Sequence, residues 1–243
     1  MTTKFRESFP EKISVLAVIH ADTLEQTISN VKIAVQNNLH WVFLINHKIS
    51  WMKLIDIFEK TRWEFDKIWM GINLLRHNLY WTFNEVWLME MKWCRVDWIL
   101  VDNPEIKWIN PGFDSQDKIK KGIDFLWWKG LYFWWVAFKY QPPVENLEVA
   151  CREWRKYLDV TTTSGPGTWE AMDLEKLKKI REFSGNHPIW IASGVDVDNI
   201  AEFSEFADIF LVASSLNKKW DFLNLDPEKV KRMSGVVGEL NGR

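Results

Sequence analysis

The stretch "YLDVTTTSGPGTWEAMDLEKLKKIREFSGNHPIWIASG", residues 157–194, is the most informative about the fold of this chain. It begins with a run rich in β-branched residues and passes through a glycine-rich turn. It continues as an amphipathic segment with helical spacing, "LEKLKKIREFS", and ends in a second apolar run, "PIWIASG". Short apolar runs that alternate with helical segments are typical of βα units around a parallel sheet. The stretch therefore predicts a strand, its helix and the next strand.

The same alternation runs along the whole chain. We predict strands over residues 13–20, 40–46, 67–73, 97–103, 131–139, 157–164, 188–194 and 208–215. Helical segments follow them, among them 24–38, 174–184 and 227–240. Eight βα units with nearly continuous apolar strands, in a chain of 243 residues, match the size of a TIM barrel. We expect an α/β fold with a single (β/α)8 TIM-barrel domain over residues 1–243; the alternative is an open doubly wound sheet, which usually has fewer strands.

Charge and cysteine content restrict the classes of partner. The formal net charge is -2, from 31 basic and 33 acidic residues spread along the chain, which disfavours nucleic acid and favours small molecules or proteins as partners. No apolar run is long enough to predict insertion into a membrane. Cys94 and Cys151 lie far apart without metal-ligand spacing, so we expect buried, reduced thiols, no metal site and no cofactor, in a cytoplasmic protein.

Three side chains at predicted strand ends are candidates for catalysis, because a TIM barrel carries its active site where the strands end. His20 is a candidate acid/base group. Asp102 is a candidate general base or ligand of ribose hydroxyls; the alternative is a turn-forming aspartate before Asn103. Lys139 is a candidate for neutralising an anion, acting as general acid or forming a Schiff base; the alternative is an ammonium group held in water.

Small and polar residues at the other strand ends predict an anion site. The segments "SGPGT", "ASGVDVDNI" and "VASSLN" each follow a strand, and barrel phosphate sites commonly use the loops after strands seven and eight. The alternative is that Gly and Ser are there only for turn conformation. The predicted ligand-binding residues are Asn73, Ser164, Gly165, Gly167, Ser193, Gly194, Ser214 and Ser215.

The last third of the chain resembles the BtpA/SgcQ family of TIM-barrel proteins. The resemblance rests on the turn Ser164 to Trp169, on Ser193 to Val195 with Asn199, and on Ala213 to Asn217 followed by "NLD" at 224–226. "GINLLRHN" and the lysine in "VAFKY" also resemble family segments, whereas "ADTLEQ" after His20 and "VDNPEI" depart from them. The resemblance implies a TIM barrel and either an enzyme of sugar or nucleoside metabolism or a factor for photosystem I biogenesis.

These observations together favour an enzyme of nucleosidase, lyase or isomerase type. Its ligand is expected to be a phosphorylated sugar, nucleoside or nucleotide-like molecule, with the phosphate at the loops after strands seven and eight. One alternative is a non-catalytic assembly or stability factor, and another is an isomerase of the phosphoribosyl-anthranilate type. Barrels with aromatic outer faces often self-associate, so a homo-oligomer is a further expectation.

The tryptophan content raises a separate question, because the chain has 17 tryptophans and only 11 glycines. Trp169 and Trp220 stand in turns, and Trp41 and Trp98 at predicted strand starts, all places where small residues are common. A tryptophan at a position that needs φ > 0 costs roughly 1–2 kcal/mol. One hypothesis is that the gene's own organism reads UGA as glycine; the alternative is an aromatic-rich protein in which Trp169 stacks on a nucleobase or sugar.

Overall fold

The computed structural model of the protein describes residues 3–101, 128–135, 144–155, 158–167 and 170–243. It is a closed barrel of eight parallel strands in sequential order. The strands are β1 (Ser14–His20), β2 (Trp41–Ile45), β3 (Trp69–Asn73), β4 (Trp98–Leu100), β5 (Leu131–Trp135), β6 (Val160–Thr163), β7 (Ile189–Ala192) and β8 (Ile209–Val212). The last strand pairs with the first, Ser14 opposite Ile209, so the TIM barrel is confirmed and the open sheet is wrong.

Within the described residues, one helix precedes β1 and the others follow strands of the barrel. They are α1 (Thr3–Ser8), α2 (Leu24–Gln36), α3 (Trp51–Glu64), α4 (Leu79–Met91), α5 (Leu147–Trp154), α6 (Leu174–Ser184), α7 (Ile200–Phe203) and α8 (Pro227–Leu240). The predicted bounds of α6 and α8 agree with the structure. Both helices begin after an aspartate, Asp173 or Asp226, whose carboxylate accepts a backbone N–H of the first turn. Such N-caps satisfy donors that have no partner within the helix.

Two of the strands, β7 and β8, are two or three residues shorter than predicted at their carboxyl ends, whereas β1 and β3 end at the predicted residues 20 and 73. The eighth was predicted over 208–215 and spans Ile209–Val212, and the seventh was predicted over 188–194 and ends at Ala192. The remaining predicted residues belong to the loops that follow. Their small polar side chains fit the sequence pattern of a strand, but their backbones do not continue the hydrogen bonds between strands. In the predicted fourth strand, residues 102 and 103 lie outside the described part of the chain, as do residues 136–139 of the fifth.

Aromatic rings pack together in the core. Trp98 stacks on Phe43 with 4.7 Å between ring centroids and lies 5.5 Å from Trp190, which in turn lies 4.5 Å from Phe133. A Cβ on Gly71, in the neighbouring strand β3, would collide with the Trp98 ring. Gly71 is therefore a steric requirement of this core.

A buried ion pair fastens the amino-terminal face of the barrel. Arg62 of α3 donates to the carboxylate of Asp97, 2.5 Å away and directly before β4, and to four backbone carbonyls. Asp97 also accepts the N–H of Met70 in β3, at 2.8 Å. Burial raises the pKa of Asp97, opposed by the charge of Arg62. The pair joins a helix and two strands around one desolvated carboxylate.

The same arrangement recurs four strands further along. Arg181 of α6 donates to Asp208, 2.6 Å away and directly before β8, and to backbone carbonyls. Asp208 accepts the N–H of Ile189 in β7 at 2.9 Å. Each arginine Nε donates to the carbonyl two residues before its aspartate, Arg95 in the first case and Phe206 in the second.

The two cysteines are buried and free, as expected. Burial raises the pKa of Cys94 to about 12 and that of Cys151 to about 11, so both thiols stay protonated near neutral pH. In the described ranges of the chain, no helix is both long enough and apolar enough to cross a membrane.

Candidate functional site

The carboxyl ends of the strands form one mouth, because all eight strands run parallel in a closed ring. His20 and Asn73 are the last residues of β1 and β3. The other predicted ligand-binding residues follow their strands directly: Ser164, Gly165 and Gly167 after β6, Ser193 and Gly194 after β7, and Ser214 and Ser215 after β8. The fold thus brings these residues to one face. Asp102 and Lys139 lie outside the described residues.

His20 is an uncharged imidazole at this mouth. Its ring lies 4.8 Å from the ring of His47, which follows β2, and 5.5 Å from that of Phe222. Its Nδ1 is buried and makes no hydrogen bond within the described chain. Burial, reinforced by the charge that His47 can carry, lowers the pKa of His20 to about 4. At neutral pH its ring therefore offers one nitrogen as donor and one as acceptor.

The glycine-rich turn after β6 packs against the end of β7. A Cβ on Gly165 or on Gly194 would collide with the carbonyl oxygen of Glu170. Gly194 also has φ +69°, which is a second reason for glycine at this position. Ser193 Oγ donates to the carbonyl of Gly167 at 3.4 Å. These contacts fix the two loops against each other, and four of the predicted site residues, Gly165, Gly167, Ser193 and Gly194, serve that packing.

The loops after β7 and β8 expose backbone donors. Ser193 has φ +93° and is followed by Gly194, also at positive φ. Within the described chain, the N–H groups of Gly194, Ser214 and Ser215 donate to no other residue. Ser215 Oγ donates to the Val195 carbonyl at 2.7 Å, which holds the two loops together. Three backbone N–H groups in adjacent loops are an arrangement suited to an anion.

Asn199, the asparagine that follows "SGV" in the sequence, has a structural role in the loop after β7. Its Nδ2 donates to the carbonyl of Gly194 at 2.8 Å, and its Oδ1 accepts the N–H of Asp196 at 3.0 Å. Asp196 in turn accepts the N–H of Asp198 at 2.9 Å. The side chain therefore closes the loop after β7 and does not need to touch a ligand to be required.

Lys176 is a residue near the mouth that the sequence analysis missed. From the first turn of α6 its Nζ donates to the carbonyl of Ser164 at 2.9 Å, and burial lowers its pKa, opposed by Asp173. Lys229, in the first turn of α8, donates likewise to the carbonyl of Asn217 at 2.6 Å. The sequence signal is a repeated "DxEK", at 173–176 and 226–229, in which the aspartate caps the helix.

The described residues do not include a group of three or more His, Cys, Asp or Glu side chains placed to hold a metal ion. The chemical groups that the described part of the mouth offers include a neutral imidazole, hydroxyls, a carboxamide and backbone N–H groups. They can bind an anion and form hydrogen bonds with hydroxyl-bearing ligands.

Solved structures similar to this one share its fold at low sequence identity. Phosphoribosyl anthranilate isomerase from Thermus thermophilus has a TM-score of 0.64 and 11% identity, over 94% of this chain and 100% of its own. A structure described as native KDPGal has a TM-score of 0.64 and 11% identity, over 94% of each chain. A protein from Aquifex aeolicus VF5 has a TM-score of 0.64 and 15% identity, over 98% of this chain and 96% of its own.

No curated protein sequence matches the chain. A family model does: the one described as the BtpA family matches residues 64–239. The matched region runs from the last residue of α3 into α8, so it contains the loops after β6, β7 and β8 that form the candidate site. The match covers most of the chain and agrees with the resemblance found in the turn, "SGV" and "NLD" segments, and the chain therefore belongs to the BtpA family.

Proposed function

We propose that the protein is a TIM-barrel enzyme that acts on a phosphorylated sugar, nucleoside or nucleotide-like ligand. The main support for the proposal is that the backbone N–H groups of Gly194, Ser214 and Ser215 donate no hydrogen bond to another described residue. The phosphate would accept hydrogen bonds from these groups in the loops after β7 and β8. Phosphoribosyl anthranilate isomerase, whose name contains a phosphorylated ribose, supports the proposal as a neighbour in fold.

The chemistry in this proposal belongs to acid/base groups across the mouth from the phosphate. His20 supports it because its imidazole is neutral at pH 7 and is available to give or take a hydrogen bond. Asp102 and Lys139 complete the proposed set as base and acid. Asn73, buried at the end of β3, is a proposed ligand of the sugar hydroxyls. The reaction type is that of a nucleosidase, lyase or isomerase.

The test is a thermal-shift panel of sugar phosphates, nucleosides and nucleotides, with inorganic phosphate as a separate arm. A ligand at about a hundred times its Kd adds ~2.7 kcal/mol, which for this chain length means a rise in Tm of roughly 5–10 °C. A rise with sugar phosphates and none with inorganic phosphate would show that the sugar is recognised together with the anion.

Two variants place a carboxylate in the proposed anion site. Ser214→Asp adds the charge at an exposed residue, and Ser193→Asp adds it at a positive-φ position that aspartate tolerates better than most residues. Both are expected to abolish the shift by repulsion. Ser29→Asp, on the exposed side of α2, adds the same charge away from the mouth and is expected to keep it. A flat panel with the unmodified protein would contradict the proposal and favour the non-catalytic assembly factor.

A further inference from the structure

Two exposed tryptophans have the left-handed backbone conformation that favours glycine. Trp93 and Trp220 both have φ +63°, and their side chains are 91% and 94% exposed. A side chain at such φ costs free energy, and burial of the ring would be the usual compensation. Neither ring is buried. Lys219 lies over the Trp220 ring at 5.8 Å, which is a contact at the surface.

Trp93 can be compared with the equivalent residues at two other helix ends. After α4, Trp93 N–H donates to the Glu90 carbonyl at 2.9 Å and the next N–H, of Cys94, donates to the Met89 carbonyl at 3.0 Å. This pair of bonds is a Schellman motif, in which the left-handed residue is usually glycine and sometimes asparagine. The same bond pair ends α2 with Asn38, φ +61°, and ends α8 with Gly242, φ +78°. Tryptophan is the exception among the three.

Trp220 is in a tight turn of a type that also favours glycine. The N–H of Asp221 donates to the carbonyl of Lys218 at 3.1 Å, which places Trp220 at the third position of a four-residue turn. Positive φ at that position alone defines a type II turn, for which glycine or asparagine is the usual residue. The turn therefore selects against tryptophan on the backbone alone.

Two buried tryptophans show a different mismatch. The indole N–H groups of Trp98 and Trp190 lie in the core and find no acceptor in the described part of the chain. Buried tryptophan usually has a hydrogen-bond partner for this group. By contrast, the indole of Trp41 donates to the Ser8 carbonyl at 3.0 Å. Trp41 and Trp98 are the first residues of regular strands and do not have positive φ, so the backbone argument made for Trp93 and Trp220 does not apply to them.

We propose that residues 93 and 220 are glycine in the protein as its own organism makes it, because UGA is the codon at both positions and is read there as glycine. The composition agrees, since 11 glycines among 243 residues fall below the average of about 7% while the chain has 17 tryptophans. The proposal applies to every tryptophan whose codon is UGA. Trp169, which lies outside the described residues, is included if its codon is UGA.

Other non-glycine residues with positive φ have a different explanation. Arg76 and Ser193 lie in the loops after β3 and β7, at the mouth, where strained backbone commonly serves function. Trp93 lies between α4 and β4, at the opposite face of the barrel. A functional reason for strain does not extend to Trp93. Trp220 lies in the loop after β8, at the mouth, so the argument for position 220 rests on its turn and its exposed ring.

The decisive measurement is the peptide mass of the protein isolated from its native organism. Trypsin releases residues 220–229, "WDFLNLDPEK" in the sequence as written, and the expected peptide begins with glycine. Its mass is then lower by the difference between a tryptophan residue and a glycine residue. The peptide that contains residue 93 is expected to be lighter by the same amount. Tryptophan at both positions would overturn the proposal.

A stability comparison in a standard expression host tests the backbone argument separately. Trp93→Gly is expected to have a Tm roughly 2–4 °C above that of Trp93→Ala, because both remove the indole and only glycine accepts φ +63° freely. The control pair is Trp87→Gly and Trp87→Ala inside α4, where glycine is expected to give the lower Tm. If Trp93→Gly is no more stable than Trp93→Ala, position 93 does not require glycine and the structural basis of the proposal is wrong.

Discussion

His20 shows how a residue's surroundings decide its chemistry. A free histidine is partly charged near pH 6.5, but at the end of β1 desolvation and His47 lower the pKa of His20 to about 4. Its ring lies against the rings of His47 and Phe222. The sequence identified His20 as an acid/base candidate, and the structure adds that the group is neutral at physiological pH.

The lowered pKa predicts a pH-dependent stability. As pH falls below 6.5, His20 becomes protonated in the unfolded chain, whereas in the folded chain it stays neutral until about pH 4. The contribution of neutral His20 to the free energy of unfolding is therefore complete above pH 6.5 and is lost as the pH falls towards 4. Between pH 7 and pH 5 the unmodified protein should lose about 2 kcal/mol more than His20→Gln. Urea unfolding at the two pH values measures this difference, and parallel losses would show that His20 is not desolvated as described.

At the scale of elements, the two arginine and aspartate pairs show a repeated way of joining βα units. Arg62 with Asp97 and Arg181 with Asp208 connect a helix, the strand after it and the start of the following strand. Both aspartates stand directly before an even-numbered strand. Asp159, before β6, likewise accepts the N–H of Tyr132 in β5, at 2.9 Å. The carboxylates thus set the start of alternate strands.

Removal of one partner should reveal how much such a pair matters. Arg62→Ala leaves the buried Asp97 with only the half-exposed guanidinium of Arg95, whose Nε lies 2.7 Å from its Oδ1. We therefore expect a loss of about 3 kcal/mol in the free energy of unfolding, at the low end for breaking a buried ion pair. Lys60→Ala, two residues away on α3, removes an exposed pair with Asp56 and should cost no more than about 0.5 kcal/mol. Both are measured by urea denaturation. A loss below about 1 kcal/mol for Arg62→Ala would mean that Asp97 is solvated or protonated at little cost.

At the scale of the whole molecule, the ends of the chain close the barrel. Asn241, after α8, accepts the N–H of Ile13 at 3.0 Å and donates to its carbonyl at 3.0 Å. It donates also to Glu11 at 2.6 Å. Asn30 of α2 makes the corresponding pair of bonds with the segment before α8, to the carbonyl of Leu223 and from the N–H of Leu225. These amides join the first and last units of the ring beside the pairing of β1 with β8.

Asn241→Ala tests this closure. It leaves the Ile13 N–H and carbonyl without their partner, so we expect a loss of about 1–3 kcal/mol in the free energy of unfolding. Asn186→Ala, at an exposed position after α6, serves as the control and should be within about 0.5 kcal/mol of the unmodified protein. Urea denaturation with an unchanged m-value is the expected readout. An equal effect of the two variants would mean that strand pairing alone closes the ring.

The alternation of strands and helices is predictable from the sequence, because that pattern depends on residues close together in the chain. The predicted bounds of α6 and α8 agree with the structure for this reason: apolar spacing and the capping aspartates are local signals. The same order of elements predicted that the polar strand ends form one mouth, since parallel strands in a closed ring end on the same face.

Which side chains meet, and in what protonation state, depends on the folded chain. Arg62 and Asp97 are 35 residues apart, and Asn241 and Ile13 are 228 apart, so no local pattern contains these contacts. The neutral state of His20 and the steric need for glycine at 165 and 194 likewise depend on neighbours brought in by folding. The physical reason is that desolvation and steric exclusion act through space, between residues that the sequence does not place side by side.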